Sequence, residues 1–141
     1  MSNKRPNTDY VVVFSSETKE DDIGLNEITK KHRAQGFFKV AYHYIVRRNG
    51  DIETGRAEQE AGSLLSSGII NNSNSIAVCL VGDSTEHGLP NYTDEQLSGF
   101  RLLVNDLKSR YKLSVVGYSD VDSSSHSPYV DVELLLQAGG T

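Results

Sequence analysis

Tryptophan is absent, and cysteine and methionine occur once each. With Cys79 alone, no intramolecular disulfide and no cysteine-pair zinc knuckle can form. No run of about 18 apolar residues occurs, so a membrane-spanning helix is not expected. The basic opening Met1-Ser2-Asn3-Lys4-Arg5-Pro6 is not followed by the apolar stretch of a secretory signal, so the expected location is cytoplasmic. Positive charge is in deficit: 14 Lys and Arg against 19 Asp and Glu give a formal net charge of −5. Coating a nucleic acid rests on neutralising phosphates, and that balance argues against it. What is present is ordinary for a globular domain, 37% hydrophobic and 23% charged over 141 residues. That length suits one core. The expected layout is a tail over 1–8, a single domain over 9–137 and a second tail over 138–141.

Asp9 to Phe14 is a short β-branched and aromatic run, bounded by Ser15-Ser16-Glu17-Thr18, as expected of a buried central strand. Leu25, Ile28 and His32 recur at helical spacing until Gly36. A strand is predicted over Val40 to Arg47, with Asn49-Gly50 turning it into a return strand, Ile52 to Thr54. Ala57 to Asn74 reads as a long surface loop with one helical turn. Ser75 to Val81 is a second central strand. Thr93-Asp94-Glu95-Gln96 is a capping box opening a helix whose apolar face is Leu97, Phe100, Val104, Leu107 and Tyr111. Leu113 to Val116 is a last strand and Val130 to Gln137 a terminal helix. The fold class is therefore α/β with mixed character: a central mixed five-stranded sheet flanked by about three helices.

Four motifs in this order resemble the zinc amidases that cut N-acetylmuramoyl-L-alanine bonds, a family including short phage lysozyme-type enzymes and peptidoglycan recognition proteins. They are Tyr42-His43-Tyr44-Ile45-Val46 with Arg48-Asn49-Gly50-Asp51-Ile52-Glu53 and Gly55-Arg56; Asn74 to Gly82; Tyr92 to Leu97; and Gly117-Tyr118-Ser119-Asp120-Val121, where the family usually reads Gly-His-x-Asp-Val. The resemblance implies a zinc held by two histidines and a third His, Cys or Asp. Its first position falls here on Phe14, its second on Tyr118 and its third near His126. A basic residue that assists catalysis corresponds to Ser124, and a groove histidine to Leu64. Of the implied catalytic set only Tyr42 remains.

Phenylalanine has no lone pair for a metal, and a neutral phenol with pKa about 10 is a poor substitute for imidazole. A site rebuilt from His126, Asp120 and Asp122 is conceivable, but their spacing fits no specific metal pattern. His32 and His87 are expected at the surface or its boundary, His43 as a satisfied structural histidine, and Cys79 as a small core residue. The sequence reading is therefore a non-enzyme with no metal or cofactor. It would capture a small ligand through Phe14, Tyr42, Tyr44, Leu64, Asn74, Tyr118, Ser124 and His126. Aromatic faces and the Ser123 to Ser127 hydroxyls suit a muropeptide or a nucleotide-like signal. In a phage protein acting inside its host, the latter would be a sequestered immune signal. Two alternatives remain. One is a regulator that inhibits a host protein, since phage amidases of this type can bind an RNA polymerase. The other is an active peptidoglycan amidase with a displaced metal site. No nucleic acid or membrane partner is expected, and the oligomeric state stays open.

Overall fold

A computed structural model describes residues 6–16, 24–36, 40–62, 65, 68–82, 92–122, 132 and 136. Its strands are β1 (Tyr10–Ser15), β2 (Tyr44–Val46), β3 (Ile52–Thr54), β4 (Ser75–Leu80) and β5 (Ser114–Gly117). Its helices are α1 (Leu25–Ala34), α2 (Asp94–Arg110) and a one-turn α3 (Tyr118–Val121). The sheet order is β3-β2-β4-β1-β5. β4 and β5 flank β1 in parallel, β2 joins β4 in parallel, and only the β2–β3 pair is antiparallel. The mixed five-stranded sheet expected from the sequence is the one observed. Val132 and Leu136, inside the expected terminal helix, are helical. No helix among the described residues is long and apolar enough to cross a membrane.

A sheet covered on both faces needs apolar side chains at every strand position, which is why β1 and β4 read as near-continuous hydrophobic runs. Alternation along each strand divides those side chains between two cores. Val11, Val13, Ile76, Val78 and Leu80 meet Leu97, Phe100, Leu103, Val104 and Leu107 of α2. Val12, Phe14, Ala77 and Cys79 face the other way, toward Ile28 of α1, Val40, Tyr42 and Leu65.

The capping box of α2 is reciprocal: Thr93 Oγ1 accepts from Gln96 N at 3.0 Å, and Gln96 Oε1 accepts from Thr93 N at 3.3 Å. The Thr93 hydroxyl also donates to Arg48 O, tying the helix start to the hairpin. The hairpin turn itself is longer than a two-residue type. Gly50 N donates to Arg47 O, Arg47 N donates to Asp51 O, and Gly50 has φ 92°. That is a turn closed by one left-handed residue, for which glycine is suited.

β2 is shorter than the predicted Val40 to Arg47 strand, and the cause is His43. Its backbone N donates to Ala77 O at 2.9 Å while its ring Nδ1 accepts from Ala77 N, also at 2.9 Å. The imidazole takes a donor that a regular ladder would give to backbone. The alternation is broken there, so Tyr42 and Tyr44, two residues apart, end on opposite faces of the sheet.

Candidate functional site

In open α/β sheets, ligands bind beyond the carboxyl ends of the strands. β1 ends there with Phe14, and the register Val13↔Gly117 makes Tyr118, the first residue of α3, the next side chain on the neighbouring strand. The two rings stack with centroids 4.6 Å apart and planes at 30°. Tyr42 closes on Phe14 at 5.4 Å, and the His32 ring closes on Tyr42 at 5.0 Å. The result is a ladder of four rings, His32–Tyr42–Phe14–Tyr118, running from α1 to α3 across one end of the sheet. The first three are buried and Tyr118 is half-buried.

Polar groups hold the ladder's ends. His32 Nδ1 accepts from Ala41 N at 2.9 Å. Burial, with Lys31 and Arg56 adding to it, holds the His32 imidazole below its ordinary pKa, so the ring is neutral. At the other end Asp120 Oδ2 accepts from Gly117 N at 2.9 Å and caps α3. The Tyr118 hydroxyl donates to Asp122 Oδ2 at 3.3 Å, and burial together with that carboxylate pushes the phenol's pKa up. Beside the ladder, Ser15 Oγ donates to Gly82 O at 2.5 Å and Gly82 N donates to Ser16 Oγ at 2.8 Å, which joins the ends of β1 and β4. Of the four rings only Tyr118 is partly exposed, so it alone presents aromatic area on which a sugar or other ring can stack.

Of the predicted site residues the structure brings together Phe14, Tyr42 and Tyr118. Tyr44 is not with them: it packs toward α2, and its hydroxyl donates to Glu58 Oε1 at 2.5 Å. Strand alternation put it beside Tyr42, and the break at His43 removes it. Asn74 is also elsewhere. It lies at the opposite end of β1, where its carbonyl accepts from Asp9 N and Tyr10 N. Five residues at about 3.3 Å each place it about 16 Å from Phe14 along the strand direction. Leu64, Ser124, His126 and His87 lie outside the described residues. His32 is not at the surface: it is 6% exposed, its ring packed at a tilt against Tyr42 and its Nδ1 bonded to Ala41 N–H. His43 has Nδ1 occupied by Ala77 N–H, so Nε2 carries the hydrogen and donates to Glu60 O at 2.6 Å. Two polar residues with large structural roles, the buried Gln96 and the half-buried Glu58, carried no signal in the sequence as site or core positions.

The cation that the resemblance implies does not fit the residues present at its two principal positions. A metal between Phe14 and Tyr118 would meet stacked carbon rings, and the nearby phenol is turned to Asp122 with its proton retained. Asp120 and Asp122 are already committed to Gly117 N and to Tyr118. Among the described residues no three His, Cys, Asp or Glu side chains converge on one point.

Residues 3–130 match the family described as N-acetylmuramoyl-L-alanine amidase. The chain is 34% identical over 140 residues to the endolysin of Enterobacteria phage K11, covering 96% of this chain and 90% of that protein. Among solved structures it is similar to the N-acetylmuramoyl-L-alanine amidase LysC from Clostridium intestinale URNW, with TM-score 0.78, 22% identity and coverage of 94% and 85%. It is also similar to peptidoglycan recognition protein LE in complex with tracheal cytotoxin, a monomeric diaminopimelic acid-type peptidoglycan. The TM-score there is 0.75 at 18% identity, covering 95% and 82%. These likenesses overturn the expectation of a non-enzyme. A relative sharing a third of its residues over nearly the whole chain is an endolysin, and that points to an enzyme.

Proposed function

The chain belongs to the N-acetylmuramoyl-L-alanine amidase family, and from that membership we propose that it acts on peptidoglycan, hydrolysing the amide between the muramoyl group and L-alanine. The observation that carries this reading is the likeness to a phage endolysin across 96% of the chain. Tyr118, the partly exposed end of the ring ladder, supports it: a muropeptide joins a pyranose to a short peptide, and stacking on an aromatic face suits the first of these. The structural neighbour that holds a monomeric peptidoglycan lends further support to a muropeptide as the small ligand. In this reading Tyr118, with Phe14 and Tyr42 behind it, forms one wall of the groove. Leu64, Ser124 and His126 are assigned to its rim by sequence position alone. No step runs through a cation at Phe14 and Tyr118, because the phenyl ring has no lone pair to offer and the phenol keeps its proton, turned to Asp122.

Digestion of purified peptidoglycan tests the proposal. Release of new L-alanine amino termini without new reducing sugar ends is expected, with and without added zinc as separate arms. Calorimetry with a soluble muropeptide reads binding apart from cleavage. No new amino termini in either arm would overturn the proposed hydrolysis, and no heat from the muropeptide would overturn the proposed ligand. Heat from an ADP-ribose-type nucleotide under the same conditions would reassign the groove's ligand class.

A further inference from the structure

On the sheet face away from the ring ladder, Glu58 is held by four donors. Arg110 grips it as a fork, Nη1 to Oε2 at 2.5 Å and Nη2 to Oε1 at 2.7 Å. The hydroxyls of Tyr44 and Tyr111 donate to Oε1 and Oε2 at 2.5 and 2.6 Å. Hydrogen bonding from Arg110 is the largest influence holding the Glu58 carboxyl down at about 2, so it is ionised wherever the protein is folded. Bidentate pairs of this kind are strong and directional. Arg110 is itself braced by Asp106 at 2.9 Å. The ion pair joins residues 52 apart in sequence, the end of α2 and a turn closed by Glu60 N donating to Ala57 O.

From that turn a second set of bonds leads to the other face. Glu60 O accepts from His43 Nε2, and the Glu60 carboxylate pairs with Arg56 at 3.0 Å. Arg56 in turn donates to Ala61 O at 3.1 Å and to Val40 O at 3.0 Å. Val40 and His43 bracket Tyr42, the second ring of the ladder. Three residues beyond Gly62 in the sequence, Leu65 has its N–H and carbonyl both held by the Asn72 side chain. Leu65 is buried in the cluster that contains Phe14 and Tyr42.

We propose that Arg110 and Glu58 are positioning residues for the groove: their ion pair anchors the 57–62 strap, and through Glu60, His43 and Arg56 it sets the placement of Tyr42 and Leu65. This rests on the reading above in which that groove takes a muropeptide. Neither residue touches the ladder, so the effect is transmitted.

Amide hydrogen exchange on the full chain tests the clamp. In Arg110→Ala, exchange at Glu60 and Leu65 rises by about tenfold or more, while Val12 of β1 and Val78 of β4 keep their rates. Arg110→Lys, which retains the charge but not the fork, gives a smaller rise. In the peptidoglycan assay KM increases in Arg110→Ala with kcat little changed, since binding geometry rather than chemistry is disturbed. Unchanged exchange at Glu60 and Leu65, or a uniform rise that includes Val12 and Val78, would overturn the proposal. Glu58→Gln supplies a second measurement from the other side of the pair, with the same pattern expected. Exchange is read without any turnover, so the clamp and the proposed activity fail separately.

Discussion

Replacing Gln96 by methionine tests how the start of α2 is joined to the sheet. The side chain is fully buried, and its Nε2 donates at 3.0 Å to the carbonyl of Val46, the last residue of β2, and at 2.7 Å to that of Val81, the residue just after β4. Methionine keeps most of the volume and removes both bonds. The two carbonyls are not equivalent. Val46 O also accepts from Val81 N at 3.1 Å and keeps that partner, whereas Val81 O loses the donor described here. Two net hydrogen bonds at about 1 kcal/mol each, with part of the desolvation cost of one bare carbonyl, give about 3 kcal/mol. The lost return bond to Thr93 N falls within that range. Gln96→Ala adds a void and brings the cost to about 5 kcal/mol, a large share of the roughly 5–15 kcal/mol that holds a domain together. Equilibrium urea unfolding at pH 7 reads the difference: the Gln96→Met midpoint falls by about 1–2 M with an unchanged slope. A loss below about 1 kcal/mol for Gln96→Met would refute the reasoning, because it would show that both carbonyls are satisfied without the amide.

Three other outcomes are expected. His32 is held neutral in the fold, so the unfolded chain takes up its proton first as pH falls; stability is full above about pH 6.5 and declines below it by up to about 1.4 kcal/mol per pH unit until the folded ring titrates. Urea midpoints between pH 7.5 and 5 check this against His32→Phe, whose pH slope should be shallower; equal slopes would refute it. Gly99→Ala, normally favourable inside a helix by about 1 kcal/mol, should instead destabilise, because its Cβ would come within 2.5 Å of Gly50 O. A rise in thermal midpoint for that variant would refute the close contact. Phe14→Ala removes the middle of the ladder at a 5% exposed position and should cost about 3–5 kcal/mol, measured by the same urea unfolding.

The sheet was legible because its signals are local and redundant. Two short apolar runs rich in valine, with no polar alternation, fit strands covered on both faces, and the Thr93–Gln96 box marked the start of α2 to the residue. The hairpin was legible through Asn49-Gly50, although the turn is of the longer kind, with Gly50 left-handed. What was not legible depends on partners distant in sequence. The buried state of Gln96 follows from where α2 lands on β2 and β4. The grip on Glu58 follows from α2 ending beside the strap. The face taken by Tyr44 follows from a histidine ring replacing one rung of the ladder, and no period-2 pattern encodes that.

The groove divides along the same line. Residue types at Phe14 and Tyr118 were legible, and so was their unsuitability for a cation; their stacking at 4.6 Å follows from the parallel register of β1 and β5. The step from there to an inert protein does not follow. Two aromatic rings decide where a cation cannot sit, whereas loss of hydrolysis would require that no other residues of the chain support the chemistry. Likeness to an endolysin spread over 96% of the chain bears on far more of the sequence than these two positions. Local substitution therefore limits the location of the chemistry, and the global likeness speaks to its class. If amide cleavage is found, Phe14→Leu should weaken it only as far as it loosens the packing on Tyr118 and Tyr42, because the ring makes packing contacts there and has no lone pair to ligate with.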